Sequence, residues 1–290
     1  MSHSSRQGVY AIHAAALILS FTGYFASTIN LPALDIIFWR CLFAAGLIFV
    51  LLHRPKHWLA VKGQWGWLGL CGLLTGIHWV TYFQAMQWAG WGLGTLALFT
   101  FPVMTAMLEP WIKQQGRLAG KDWLLVLLCF AGVLMLLPWH LGWQGAAQSQ
   151  VFWGLLSGLL SALVWSVRNI LVGKHLTGIN SFTSVAWQMW VAMLLLLPFI
   201  SQSPASIALV DWGLMLLLAA VVTALPHALI LTALARIPAT TAGMISCIQP
   251  AYAITWGWLL LGQSMSLLSL MGAGCIVLAA FYESQRRMRA

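Results

Sequence analysis

The sequence predicts an all-α polytopic membrane protein with ten transmembrane helices, arranged as two inverted five-helix repeats. Three observations lead to this fold class: an apolar composition, basic loops that alternate along the chain, and an internal similarity between its two halves. Of the 290 residues, 61% are hydrophobic and only 7% are charged, whereas soluble domains carry about 25% charged residues. Because one helical span needs about 20 apolar residues, the chain has room for about ten spans and little else.

Apolar runs bounded by polar residues, glycine or proline define the spans, which are numbered 1 to 10 in chain order. Each run is long enough, or nearly so, to cross the hydrocarbon core of a bilayer as a helix. The predicted spans cover residues 8–29, 33–52, 65–89, 93–113, 121–140, 151–173, 180–200, 211–234, 238–262 and 266–283.

Basic residues lie in every second connection between the spans. Of the 14 Lys and Arg residues, 12 lie in the two tails and in the second, fourth, sixth and eighth connections. Positively charged loops stay in the cytoplasm, so the pattern predicts that both termini are cytoplasmic. The location that we expect is a bacterial inner membrane. We expect these cations to face membrane lipids rather than nucleic acid. The two others, Arg40 and Arg168, lie inside spans.

The second half of the sequence resembles the first with a shift of 148 positions. Five spans per half is an odd number, so the halves must insert with opposite orientations, an architecture typical of secondary transporters. We divide the chain into a first repeat, residues 1–146, and a second, residues 147–290. The matched pairs include Trp39 with Trp187, Ala44 with Ala192, Ala85 with Ala233, Pro102 with Pro250 and Gln115 with Gln263.

The chain resembles the ten-span, EamA-type branch of the drug/metabolite transporter superfamily over nearly its whole length. The resemblance rests on Trp39-Arg40 in span 2 and on two matched stretches, from Ala85 to Pro102 and from Ala233 to Pro250. It implies transport of a small solute: most members export metabolites and amino acids, and some import vitamins or nucleotide derivatives.

The chain departs from the family pattern at two matched positions. The family's Gly-Glu pairs at the ends of spans 4 and 9 are replaced here by Gln114-Gln115 and Gly262-Gln263. This chain therefore lacks the two carboxylates that other members place there.

Pro102 and Pro250 predict a break near the middle of spans 4 and 9. A proline has no N–H and clashes with the carbonyl four residues earlier, which here belongs to Leu98 and to Ser246. Paired broken helices at matched positions indicate a binding site near the membrane midplane. A kink that only helps the helices to pack is the alternative.

The two arginines inside spans need partners, because a charge at that depth costs about 2.5–3.5 kcal/mol. Arg40 is a candidate anchor for a substrate carboxylate or phosphate, or it is satisfied by a neighbouring helix. We expect Arg168 to extend to the cytoplasmic interface; the alternative is a second cation in the cavity beside Asn169. Glu109 is expected to pair with Lys113, four residues later.

Histidines and aromatic residues complete the predicted binding site. Buried imidazoles at mid-span are able to exchange protons or to form structural hydrogen bonds, and aromatic walls suit amphipathic solutes and cations. Polar residues on the same helical stripes should face the bundle rather than lipid. The predicted substrate-binding residues are Tyr24, Trp39, Arg40, His78, Trp79, Tyr82, Phe99, Trp165, Arg168, Asn169, Trp187, Gln188, His227, Ser246 and Gln249.

The sequence therefore favours a secondary transporter that works by alternating access. We expect an exporter of amino acids or of amphipathic, aromatic metabolites; an importer of a vitamin or nucleoside-like solute is the alternative. No catalytic, cofactor or metal motif is present, although an intramembrane enzyme or a non-transporting scaffold stays open. Because both halves lie in one chain, we expect a monomer, and a dimer is not excluded.

Overall fold

The structure is a computed structural model that describes residues 3–51, 61, 63–89, 91–114, 116, 118–135, 148–261 and 267–289. Within these ranges the chain is helical, without strands, and a helix occupies each of the ten predicted spans. The predicted all-α fold class is therefore confirmed. The predicted boundary between the two repeats, at residues 146 and 147, lies outside the described residues.

The first half contains five spans, and two of them consist of two helices in succession. Spans 1 and 4 are interrupted, whereas the other three are continuous within the described residues. Span 1 is His3–Leu19 with Thr22–Thr28, span 2 is Ala33–Leu51, span 3 is Trp65–Ala89, span 4 is Trp91–Leu98 with Phe101–Lys113, and span 5 is Gly120–Met135.

The second half has the same order of elements. Span 9 is interrupted like span 4, and span 8 contains a wide π turn between two α-helices. Span 6 is Gln148–His175, span 7 is Ser181–Leu196 with a 3-10 turn at Leu197–Phe199, span 8 is Leu209–Ala219, Ala220–Ala224 and Leu225–Leu234, span 9 is Ala239–Ser246 with Ile248–Leu261, and span 10 is Leu267–Arg289.

Five helices in the described ranges are long and apolar enough to cross a membrane on length and composition alone; they belong to spans 1, 2, 6, 7 and 8. Spans 4 and 9 are divided into segments too short to qualify individually. A lipid-facing surface also explains the exposed apolar side chains, such as Leu209, which is 87% exposed, and Val50, which is 74% exposed. The chain is a multi-pass membrane protein.

Span 3 lies at the junction of the two halves, where it packs against spans 6 and 7. Its glycines allow a close approach, because small residues let helix backbones come together inside a membrane. A Cβ atom added at Gly72 would lie 2.6 Å from the Val191 Cβ and 2.9 Å from the Gln188 carbonyl oxygen. The site described below therefore rests on a tightly packed seam.

Glu109 connects the two halves at the predicted cytoplasmic end. Its carboxylate pairs with the Lys113 ammonium at 2.7 Å, which confirms the expected pair. It also accepts hydrogen bonds from the backbone N–H groups of Ala239 and Thr240, at 2.9 and 2.7 Å, and from the Thr240 hydroxyl. A negative charge at the start of a helix is favourable, so Glu109 fixes the first turn of span 9 against span 4.

Asp35 forms the corresponding connection at the opposite end of the bundle. Its carboxylate accepts hydrogen bonds from the backbone N–H groups of Ser201 and Gln202, both at 3.0 Å, and from the Ser201 hydroxyl at 2.7 Å. These bonds join the start of span 2 to the connection after span 7. They also show that Asp35 is not the partner of Arg40.

We predict that Gly72→Ala lowers the free energy of unfolding by about 1–3 kcal/mol, because the added methyl group overpacks the contact between spans 3 and 7. Thermal unfolding of the detergent-purified protein measures this loss. Gly69→Ala is the matched control, because nothing lies within 4 Å of an added Cβ there. Equal unfolding temperatures for the two variants would contradict the close approach at Gly72.

Candidate functional site

A cavity lies between the halves, with walls from seven spans. Its volume of about 50 Å³ is enough for roughly three to five waters, if one water needs about 10–15 Å³. Aromatic and aliphatic side chains form most of the wall, and a few polar groups interrupt it, which is the usual composition of a small-molecule site. The lining residues are Leu19, Thr22, Arg40, His78, Trp79, Tyr82, Leu98, Phe99, Phe101, Trp165, His227, Ile230, Ser246 and Gln249.

The cavity lies where the two repeats meet, because residues related by the 148-position shift face it together. Trp79 and its counterpart His227 also contact each other edge to face, with ring centroids 4.7 Å apart. The cavity is therefore built from equivalent parts of both halves. The lining pairs at this spacing are Trp79 with His227, Tyr82 with Ile230, Leu98 with Ser246, and Phe101 with Gln249.

Both broken helices border the cavity at their breaks. Span 4 is interrupted at Phe99 and Thr100, and span 9 at Cys247, which is 148 positions after Phe99. The interruptions come two or three residues before Pro102 and Pro250, where a proline ring would clash with a continuous helix. They bring residues on either side of each break to the cavity wall.

The π turn of span 8 presents Thr223 to Arg40. Pro226 follows this turn and lacks the N–H that an α-helix would use, and a wide turn also relieves the clash of its ring. The Thr223 hydroxyl donates to the Leu218 carbonyl at 2.7 Å and accepts from Arg40 Nε at 2.6 Å. The 148-position shift relates Arg40 to Gln188 and Thr75 to Thr223. These counterparts also contact each other, with Gln188 Oε1 3.3 Å from Thr75 Oγ1.

Arg40 is buried, with 1% of its surface exposed, and it is held through Nε and through the faces of two aromatic rings. Its guanidinium carbon lies 4.2 Å from the centre of the Trp79 ring and 5.6 Å from that of Phe83. Such stacking stabilises a cation without using its N–H groups. Within the described residues, the Nε bond to Thr223 is the one hydrogen bond of Arg40. The hydrogens on both terminal nitrogens are therefore unused.

Arg168 differs from Arg40, because all three of its guanidinium nitrogens donate hydrogen bonds to other residues of the protein. Nε and one terminal nitrogen donate to Gln188 Oε1 at 3.0 and 2.7 Å, and the other terminal nitrogen donates to Asn169 Oδ1 at 2.9 Å. Nε also lies 3.3 Å from Thr75 Oγ1. The expectation that Arg168 extends to the interface was wrong: it is 1% exposed, since these amides hold it between spans 3, 6 and 7.

Neither Arg40 nor Arg168 has a carboxylate partner within the described residues. The five acidic residues are all described, and each is engaged away from the cavity. The region around the cavity therefore has two cations and no compensating anion. The acidic residues are Asp35, bound at 201–202; Glu109, bound to Lys113; Asp122 and Glu283, both paired with Arg286; and Asp211, bound to the N–H of Asn30.

The two histidines are held so that each presents one lone pair. His227 Nδ1 lies 2.8 Å from the Thr223 carbonyl oxygen, which only accepts, so Nδ1 carries the hydrogen. Ser161 donates its hydroxyl hydrogen to the His78 carbonyl at 2.9 Å, so it accepts from His78 Nδ1 at 2.8 Å. The remaining Nε2 atoms are acceptors in the neutral rings, and neither has a partner within the described ranges.

The structure brings nine of the fifteen predicted residues together at the cavity. Tyr24 is not among them, because it is 49% exposed on the outside of span 1. Trp39 instead packs against Trp212 at 4.8 Å, and Trp187 against Trp65 at 4.7 Å. The other three, Arg168, Asn169 and Gln188, form the network described above rather than part of the wall.

Five lining residues were not predicted: Leu19, Thr22, Leu98, Phe101 and Ile230. The repeat contains the signal for three of them. Leu98, Phe101 and Ile230 are the 148-position counterparts of Ser246, Gln249 and Tyr82, which were predicted. No comparable signal marks Leu19 and Thr22, because they reach the cavity through an interruption of span 1 that contains no proline.

Comparison with known proteins gives one family and several relatives. The EamA-like transporter family matches residues 6–137 and again residues 152–283. The threonine/homoserine exporter RhtA of Escherichia coli K12 is 28% identical over 238 residues, which cover 81% of this chain and 76% of the relative. The pseudopaline exporter CntI of Pseudomonas aeruginosa is 22% identical over 259 residues, covering 89% and 88%.

A solved crystal structure has the same fold. It superposes with a TM-score of 0.80 and covers 97% of this chain and 98% of the other, at 16% sequence identity. At that identity the likeness shows the fold alone.

The different bonding of the two arginines predicts different effects on stability. Arg168→Met removes all four hydrogen-bond contacts of the Arg168 guanidinium and leaves the Asn169 oxygen without its donor, so we expect a loss of about 1–3 kcal/mol. Arg40→Met removes one hydrogen bond, and we expect a loss of about 1 kcal/mol or less. Thermal or denaturant unfolding in detergent measures both; a larger loss for Arg40→Met would contradict these assignments.

Proposed function

This chain belongs to the EamA-like transporter family, and we propose that it exports a small α-amino acid by alternating access. The proposal rests on one observation above the others: Arg40 is a buried cation without a carboxylate partner, and its two terminal amino groups are unused at the cavity. A guanidinium of this kind matches the two oxygens of a carboxylate. The substrate carboxylate would then be the anion that the chain itself does not supply.

The histidines suit the other end of an amino acid. An ammonium group donates hydrogen bonds, and the Nε2 lone pairs of His78 and His227 are acceptors without a partner in the described part of the chain. Donors at Arg40 and acceptors at the imidazoles therefore suit the two charges of a zwitterion.

The size of the cavity supports a transport cycle rather than a permanently open channel. A volume of about 50 Å³ holds a few waters, which is less than a whole amino acid needs. The contacts of Glu109 at one end of the bundle and Asp35 at the other join the two halves. Loading an amino acid therefore requires the walls of the cavity to move apart, as a cycle of alternating access provides.

The named relatives support export. RhtA is named as an exporter of threonine and homoserine, and CntI as an exporter of pseudopaline. The first two are α-amino acids, so their chemistry agrees with a site that offers donors for a carboxylate and acceptors for an amine. At 28% and 22% identity, these names favour a direction and a class of substrate for this chain.

The orientation and assembly that we propose follow from the sequence. The protein spans a bacterial inner membrane with both termini on the cytoplasmic side, because the basic connections then face the cytoplasm. The chain acts as a monomer, because the cavity is complete within it, and each repeat corresponds to one half, residues 1–146 and 147–290.

Reporter fusions at the C-terminus test this orientation. We expect activity from a reporter that works only in the cytoplasm and none from a reporter that works only in the periplasm. Activity of the periplasmic reporter would contradict the orientation.

The direct test is transport by Arg40→Gln. In proteoliposomes loaded with threonine or homoserine, we expect efflux to fall by about tenfold or more, since a charge-assisted hydrogen bond contributes about 1.5–3 kcal/mol. Arg40→Lys should keep part of the activity, because it retains the charge without the planar pair of donors.

Arg236→Gln is the matched control for this experiment. It removes an arginine at the end of span 8 whose terminal nitrogen donates to the Thr232 carbonyl, outside the cavity. We expect its efflux to equal that of the unaltered protein. Full activity of Arg40→Gln would contradict the proposed role of Arg40, and absence of any amino-acid flux from the unaltered protein would contradict the substrate class.

A further inference from the structure

Thr22 has a buried hydroxyl without a hydrogen-bond partner. It is 4% exposed and lines the cavity, and its Oγ1 has no partner within the described residues. Every other buried serine or threonine hydroxyl in those ranges is hydrogen-bonded, including its near neighbour Ser20, which donates to the Leu17 carbonyl at 2.6 Å. An unpaired buried hydroxyl is costly, so a ligand is the natural source of its partner.

Contacts from span 9 fix the position of Thr22. The Gln249 amide nitrogen donates to the Leu19 carbonyl at 3.1 Å, and Trp256 Nε1 donates to Ser20 Oγ at 3.1 Å. The rings of Phe21 and Trp256 are stacked, with centroids 5.4 Å apart. The interruption of span 1 is therefore anchored to span 9, and Thr22, which follows the interruption, is among the residues that line the cavity.

Two acceptors on span 9 line the same cavity. The Gln249 amide nitrogen is used by Leu19, whereas its oxygen has no partner in the described part of the chain. Ser246 donates its hydroxyl hydrogen to the Ala242 carbonyl at 2.8 Å, so its oxygen is left as an acceptor. Thr22, Ser246 and Gln249 thus combine one group that donates and accepts with two that accept.

We infer that Thr22, Ser246 and Gln249 form a subsite for a hydroxyl group on the substrate. A hydroxyl donates one hydrogen bond and accepts others, so it donates to the Gln249 oxygen or Ser246 Oγ while it accepts from the Thr22 hydroxyl. A methyl or methylene group at that place leaves the Thr22 hydroxyl and the Gln249 oxygen without a hydrogen-bond partner. This inference rests on the proposed function, because the carboxylate and the amine of the same molecule would occupy Arg40 and the imidazoles. Thr22 is then a specificity-determining residue.

The test compares homoserine with 2-aminobutyrate, which lacks the hydroxyl but keeps the carbon chain and both charges. Proteoliposome efflux of each labelled compound gives the ratio of their kcat/KM values. We expect the unaltered protein to favour homoserine, and Thr22→Val to lower its kcat/KM about threefold to tenfold while that of 2-aminobutyrate stays within about twofold. Thr22→Ser, which retains a hydroxyl, should restore the preference.

Two further variants make the result decisive. Thr28→Val is the matched control, since Thr28 is exposed on the same span and donates to the Tyr24 carbonyl away from the cavity; it should behave like the unaltered protein. Thr22→Ala repeats the test through a second substitution.

Three outcomes would overturn the subsite. They are equal transport of the two compounds by the unaltered protein, an equal loss of both in Thr22→Val and Thr22→Ala, and no loss of homoserine transport in either variant. In each case Arg40-dependent efflux of both compounds leaves the proposed function standing. Absence of efflux for both compounds in the unaltered protein overturns the proposed function and the subsite together.

Discussion

Two guanidinium groups buried inside an apolar bundle are the constraint on which the rest of the structure depends. A charge at this depth is costly unless it is paired or faces a polar cavity, and all five acidic side chains of the chain are engaged elsewhere. Arg168 meets the constraint with the amide oxygens of Gln188 and Asn169. Arg40 meets it with the Thr223 hydroxyl, the Trp79 ring face and a small cavity, which leaves part of its hydrogen-bonding capacity for a solute.

The two repeats supply the same positions to the cavity but different chemistry. Arg40 of the first repeat corresponds to Gln188 of the second, and Thr75 corresponds to Thr223. The Thr223 hydroxyl therefore contacts the residue at this repeat position as an arginine, and the Thr75 hydroxyl contacts it as an amide while also lying 3.3 Å from Arg168 Nε. This asymmetry matters because a symmetric site with two free arginines would attract two anions, whereas one free arginine beside two imidazole acceptors suits a single zwitterion.

The fold was predictable because it depends on patterns that are local in the sequence. Apolar runs located the ten spans, and Pro102 and Pro250 indicated where two of them break, since a missing N–H acts on the neighbouring turn. The 148-position shift also indicated further residues of the cavity wall. Applied to Tyr82, Ser246 and Gln249, it identifies Ile230, Leu98 and Phe101.

Other features depend on contacts between distant helices, and the sequence does not specify these. The position of Arg168 was predicted wrongly. It lies only six residues before Lys174 in the sequence, which suggested the membrane interface, whereas hydrogen bonds to the Gln188 amide on another span keep it buried in the bundle. The break in span 1 has no proline, and residues of span 9 support it, so Thr22 could not be recognised. Trp39 and Trp187 occupy matched positions, yet both lie on the side of their helices that faces other tryptophans.

The most direct test is an experimental structure of the protein with an α-amino acid bound. The substrate carboxylate should lie within about 3 Å of the two terminal nitrogens of Arg40, with its amine toward the Nε2 atoms of His78 and His227. A carboxylate bound at Arg168 or at a cytoplasmic lysine, with the terminal nitrogens of Arg40 making no contact to it, would contradict the role of Arg40 as the anion anchor.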